Sequence, residues 1–215
     1  MNVIIQCAAT KRPGAGHLLS PDGRPVMFVA DPAMAPTRGD AIYARPDDEA
    51  SDGRTWRDLL VDYNREHHAN PLGLLRAIDL YRHPVYERLG AKYGLHHVFI
   101  LSAGWGVLPA SFLTPDYDIT FSQAADRFKV RTARDRYEDF VLPAERWDEE
   151  VVFLGGRSYV DLFERVTAHV TGPRTVFYNS DAAPQLPGCK LVRFPKAART
   201  NWHYLCADAL LQEDD

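Results

Sequence analysis

Six short apolar runs, rich in β-branched residues, recur along this chain with helix-spaced stretches between them. They are NVIIQCAA (2–9), PVMFVA (25–30), HVFILSA (97–103), VVFLGG (151–156), TVFYNS (175–180) and KLVRFP (190–195). Several are apolar without alternation, the pattern of strands covered on both faces. The intervening segments TWRDLLVDYNREHH, PLGLLRAIDLY, PVYERLGAKYG, RDRYEDFV and YVDLFERVTAHV repeat apolar residues near the period of a helix. Strands alternating with helices predict an α/β fold, a single three-layer domain over residues 1–215 with a mostly parallel central sheet. Residues 31–55, rich in Pro, Gly and Asp, predict a long irregular surface excursion. A last helix is expected behind a Thr200 cap, with Trp202, Leu205, Cys206, Ala209 and Leu210 turned inward. Residues 211–215 then form a frayed acidic tail.

No stretch reaches the ~18 to 20 apolar residues of a membrane span, so no membrane partner is expected. The N-terminus reads as a buried first strand, not a signal peptide. Three widely spaced cysteines, Cys7, Cys189 and Cys206, show no metal-ligand pattern, and a reduced cytoplasmic setting and a monomer are expected. The net charge of −4 makes the whole chain no electrostatic magnet for nucleic acid. Its distribution is uneven: residues 31–66 hold nine acids against five bases. Residues 170–204 hold Arg174, Lys190, Arg193, Lys196 and Arg199 against Asp181 alone. That stretch is either a solvated basic face or a phosphate-contacting surface.

Ligands of open α/β sheets sit beyond the carboxyl ends of the strands. Four strand exits here have unusual loops: Cys7 to Arg12, Ser102 to Gly106, Gly155 to Ser158, and Asn179 to Asp181. In the second, Gly104 and Gly106 free the backbone around Trp105, whose indole either plugs the core edge or stands as a stacking plate. Asp116 and Asp118 follow in PDYD, sharing a side with Tyr117 opposite, and suit either general-base work or turn capping. Phe121 and Ser122 then read as a helix start. GGRSY puts Arg157 and Ser158 at a helix start beyond two glycines, an anion seat or simply a turn. Walker A and GxGxxG patterns are absent, so no nucleotide cofactor is expected, and His67 and His68 lack metal-ligand spacing, so no metal is assigned. Asn201 and His203 are expected in the first turn of the last helix, where the positive helix end favours a neutral imidazole. Cys7 beside Lys11 and Arg12 has no adjacent histidine to serve as its base, and an inert thiol is expected.

CAATKR and the block LSAGWGVLPASFLTPDYDITF resemble the DUF6884 family and, more distantly, the YaaA peroxide-stress family. Ser102, Ala103, Gly104, Gly106, Leu108, Pro109, Tyr117, Asp118 and Phe121 stand at matching positions, while Trp105 replaces a tyrosine and Asp116 a proline. FLGGRSYVDLF is similar to a later strand-glycine-helix block. The resemblance implies a fold like that of base-excising glycosylases and a link to nucleic-acid bases. On it, the expected activity is a DNA-acting N-glycosylase-like excision of a modified base, in genome protection or antiviral defence. Such an enzyme extrudes the nucleotide, stacks its base, reads its edge and activates water at the sugar. The roles expected are stacking by Trp105 and Tyr117, base contact by Ser102, and edge reading by Asn179 and Asn201. Asp118 or Asp116 would orient water, and His203 would assist the leaving base. Lys11, Arg12, Arg157, Ser158, Lys196 and Arg199 would hold phosphates. A DNA-binding stress protein without chemistry and an enzyme of free nucleosides or nucleotides are the alternatives.

Overall fold

The structure is a computed structural model that describes residues 1–51, 53–66, 69–132, 134–195 and 201–212. The chain opens with β1 (Asn2–Gln6), β2 (Val26–Val29) and β3 (Ile42–Ala44). A ribbon of β4 (Glu49–Ser51) and β5 (Arg54–Thr55) leads into α1 (Trp56–Glu66). Next come β6 (Leu75–Arg76), α2 (Val85–Tyr93), β7 (Val98–Ser102) and β8 (Gly106–Pro109). β9 (Leu113–Thr114), β10 (Tyr117–Asp118) and β11 (Val151–Leu154) follow. α3 (Val160–Val166), β12 (Arg174–Tyr178), β13 (Cys189–Arg193) and α4 (Trp202–Gln212) complete the described strands and α-helices.

The fold is mixed α/β. A six-stranded sheet runs in the order β13-β12-β11-β1-β7-β8, and all its pairs are parallel except the β7–β8 hairpin. β1 is central: Ile4 lies opposite Phe153 on one side and Phe99 on the other. Val3, Ile4 and Ile5 are all sealed from solvent although successive residues face opposite ways, so both faces of the sheet are covered. A smaller parallel sheet, β10-β2-β3, sets Tyr117 beside Phe28 and Asp118 beside Val29. It packs on the large sheet through Phe28, whose ring meets Trp105 edge-on at 5.0 Å.

All six apolar runs form strands, with β2 diverted to the smaller sheet. α1 buries Trp56, Leu60 and Tyr63 at helical spacing, and Thr55 and Asp58 cap one another's backbone N–H groups at its start. α2 and α4 lie side by side, joined by an Arg88–Asp208 ion pair and by Lys92 donating to the carbonyl of Leu211. Among the described residues no helix is long and apolar enough to cross a membrane.

Several local expectations differ from the structure. PLGLLRAIDLY forms no helix; the Ala77 and Ile78 amides donate instead to the carbonyls of Phe112 and Ala110. RDRYEDFV forms no helix either; Phe140 docks by backbone hydrogen bonds against Trp105 and Val107. Residues 121–125 form a turn rather than a helix start. In the first two, tertiary hydrogen-bond partners override helical propensity. Within residues 31–55, β3 pairs with β2 and Ala41 and Ala44 are buried, so that stretch contributes to the core. α4 starts at Trp202 and turns Trp202, His203, Cys206 and Ala207 inward, while Leu205 is exposed. Its expected cap, Thr200, lies outside the described residues, as do His67, His68 and 213–215 of the acidic tail.

Candidate functional site at the carboxyl edge of the sheet

After β1 the chain supplies β7 on one side of it and β11 on the other. The strand order thus reverses at β1, and the loops after β1, β7 and β11 diverge to leave a crevice at their carboxyl ends. A cavity of about 400 Å³ occupies it. Cys7, Lys11, Asp118, Thr120, Lys129 and Tyr159 are among its lining residues.

The polar floor is ordered by buried hydroxyls. Ser102 Oγ accepts from the Gly104 and Trp105 amides, at 3.1 Å each, and donates to Tyr117 Oη at 2.9 Å. Tyr117 and Tyr81 share a further hydrogen bond of 2.7 Å. Tyr159 Oη lies 3.1 Å from Cys7 Sγ. Burial first, and then the nearby Cys7, pushes the phenols of Tyr117 and Tyr159 well above their ordinary range, so both stay protonated. The ammonium of Lys11 sits over the Tyr117 ring, 4.2 Å from its centroid.

On the rim, β10 delivers Asp118 in register with Val29, on the opposite side to the buried Tyr117. Lys129 bridges Asp118 at 2.9 Å and Asp126 at 2.8 Å. Its hydrogen bonds to Asp126, then to Asp118, hold the ammonium above the usual lysine range. A fixed cation therefore orients a half-exposed carboxylate at the cavity mouth.

Two arginines hold the turn behind this floor. Arg57 donates to the carbonyls of Trp105 (3.0 Å) and Gly104 (3.2 Å), and Arg131 to that of Ala103 at 2.7 Å. Asp47 pairs with Arg57, and Asp139 with Arg131. Gly106 adopts φ +86, and a Cβ there would come within 2.6 Å of Phe140 backbone atoms.

These placements sort the expected site residues. Lys11 and Asp118 line the cavity. Ser102 and Tyr117 lie behind its floor, and Trp105 is fully buried, so neither ring is a free stacking plate; the indole is a core plug packed by Phe28 and Arg57. Asp116 accepts from the Tyr117 amide at 2.8 Å and serves the turn. Arg12 is paired with Glu87 on α2 rather than offered to a phosphate. Arg157, Ser158 and Asn179 line a second depression of about 1160 Å³ between the ends of β11 and β12. The proposed anion seat there is weakened, because the Gly156 amide is already bound by Gln6 Oε1 at 2.6 Å. Asn179 uses its amide nitrogen on the Phe194 carbonyl. Asn201 is exposed just before α4 with φ 60. His203 is buried against Tyr204 and does not reach the cavity. Its imidazole is neutral because burial, then His83, pushes the pKa down to about 4. Lys196 and Arg199 lie outside the described residues.

Lys129, Thr120, Tyr159, Arg57 and Arg131 were not singled out from the sequence. For Arg57 the available signal was a cation at helical spacing beside two apolar positions; Lys129 carried none. Comparison with protein-family models, curated proteins and solved structures returns no match for the chain.

Proposed function

We propose that the protein is an N-glycosidic-bond hydrolase that takes a single nucleotide unit, free or extruded from DNA, into the cavity at the end of β1. The observation that carries this reading is Asp118, a carboxylate held by Lys129 at the mouth of a sheet-edge cavity. A volume of about 400 Å³ falls at the small end of ligand sites and suits one base with its sugar. In such a reaction C1′ gains positive charge as its bond to the base nitrogen lengthens. The Asp118 carboxylate stabilises that charge and orients the attacking water, whose oxygen bonds to C1′ while its proton leaves to the carboxylate. The base departs with the bonding pair and takes up a proton at nitrogen from solvent, to which Asp118 returns the one it accepted. The resemblance of residues 97–121 to families linked with nucleic-acid bases points the same way.

Two of the described cations of the basic stretch 170–204 are already engaged within the protein. Arg193 is paired with Asp181, and Arg174 donates to Thr167 and Pro187. The DNA form of the reading rests on the extruded unit. The test incubates the full chain with duplexes carrying different modified bases, scored by alkaline cleavage, and with nucleosides and nucleotides, scored by free-base release. Base release that Asp118→Asn abolishes supports the proposal. Binding without release on every substrate sinks it in favour of a binding protein.

A further inference from the structure

We propose that Lys11 makes this cavity selective for a substrate with a terminal phosphate monoester, so that a free nucleoside 5′-monophosphate is preferred to the nucleoside. The ground is the charge balance of the lining. It contains three charged side chains, Lys11, Lys129 and Asp118. Lys129 is compensated twice, by Asp118 and by Asp126. Among the described residues no carboxylate pairs with Lys11; what holds its ammonium in place is the Tyr117 ring face.

That ring cannot supply a counter-charge, since burial keeps the Tyr117 phenol protonated. Tyr159 on the same wall is neutral for the same reason. A part-buried cation poised over an aromatic face, with no anion of its own, gains from a ligand that brings one. A phosphate monoester carries close to two negative charges at neutral pH, so it out-competes a diester or a hydroxyl for a single ammonium. The Thr120 side chain in the lining adds a hydroxyl able to donate to phosphate oxygen.

This rests on the nucleotide reading for the base but not for the phosphate, and binding separates the two. Calorimetry on the full chain would compare the four nucleoside 5′-monophosphates with their nucleosides, with inorganic phosphate as competitor. Monophosphates should bind at least about tenfold tighter, with the advantage shrinking as salt rises. Lys11→Gln should erase the difference and Lys11→Arg should retain most of it. Thermal melts check that the variants fold, and competition by inorganic phosphate on the unmodified protein decides the matter if they do not. Equal binding of both series, a folded Lys11→Gln that keeps the preference, or no binding of either series overturns the proposal. Preferential binding without base release leaves the phosphate clamp standing and removes the hydrolase. Base release at equal rates from nucleosides and monophosphates does the reverse.

Discussion

Arg131 and Asp139 meet through two parallel hydrogen bonds, 2.8 and 2.7 Å long, with 2% and 3% of their side chains exposed. The same guanidinium donates to the carbonyl of Ala103, so Arg131 ties Asp139 to the turn under the cavity. Removing one partner strands a buried charge, and such losses run to roughly 3 to 5 kcal/mol. Asp139→Asn should therefore lower the urea midpoint strongly. Arg131→Met with Asp139→Leu, which leaves no buried charge unpaired and frees only the exposed Arg165 that also pairs with Asp139, should lower it less. Equal midpoints for both variants would show that the pairing adds nothing beyond packing.

Trp105→Ala should act on stability before it acts on any ligand. Its indole is fully buried and packed edge-on by Phe28, and truncating a buried tryptophan costs roughly 3 to 5 kcal/mol. Trp105→Phe should recover much of the loss while leaving a smaller cavity. Denaturant titration checks this. A Trp105→Ala protein with wild-type stability and weakened nucleotide binding would return the indole to the site.

Asp118→Asn should leave the fold intact, since the side chain is half exposed. It keeps the shape but loses the charge, and base release should fall by roughly a hundredfold or more with little change in binding. Single-turnover assays beside equilibrium binding would separate the two effects. A variant that hydrolyses at the original rate places the chemistry elsewhere.

Stability should decline with acid through His203. Its pKa is pushed down to about 4 in the folded protein, by burial and then by His83, against about 6.5 for a free imidazole. A depressed histidine binds its proton more readily in the unfolded chain. Its contribution is thus fully present above about pH 6.5 and is lost as pH falls towards about 4, at most about 3 kcal/mol. His203→Leu should flatten that part of the curve, as read from unfolding midpoints between those two pH values. An unchanged slope would assign the acid sensitivity to other groups.

Cys7→Ser should retain any base release. The thiol sits 3.1 Å from Tyr159 Oη and belongs to a hydrogen-bonded wall that a hydroxyl can replace. A folded but dead Cys7→Ser protein would make the thiol the nucleophile.

Much of the scaffold was legible in the chain. Strand runs such as VVFLG are apolar at every position because both faces of a parallel sheet are buried, and this leaves its mark without reference to neighbours. The alternation of PDYD was legible too: Tyr117 went inward and Asp118 outward, as the pleat requires. Gly106 sits at φ +86, where a side chain is strained, and its glycine was visible for that reason. The same local signals misled at PLGLLRAIDLY, where an apolar spacing fit for a helix is satisfied instead by pairing with residues 110–114.

The chain by itself determined which segments become strands, where glycine relieves the strand exit, and on which side of its strand Asp118 stands. Those properties depend on residues within a few positions of one another, through pleat, periodicity and backbone sterics. The tertiary structure alone decided the rest. It set Lys129 against Asp118, Arg57 and Arg131 beneath the turn, Glu87 on Arg12, and His203 away from the cavity. Charge pairing and burial act through space, and partners such as Arg57 and Trp105, 48 residues apart in sequence, become neighbours only when the sheet brings them together.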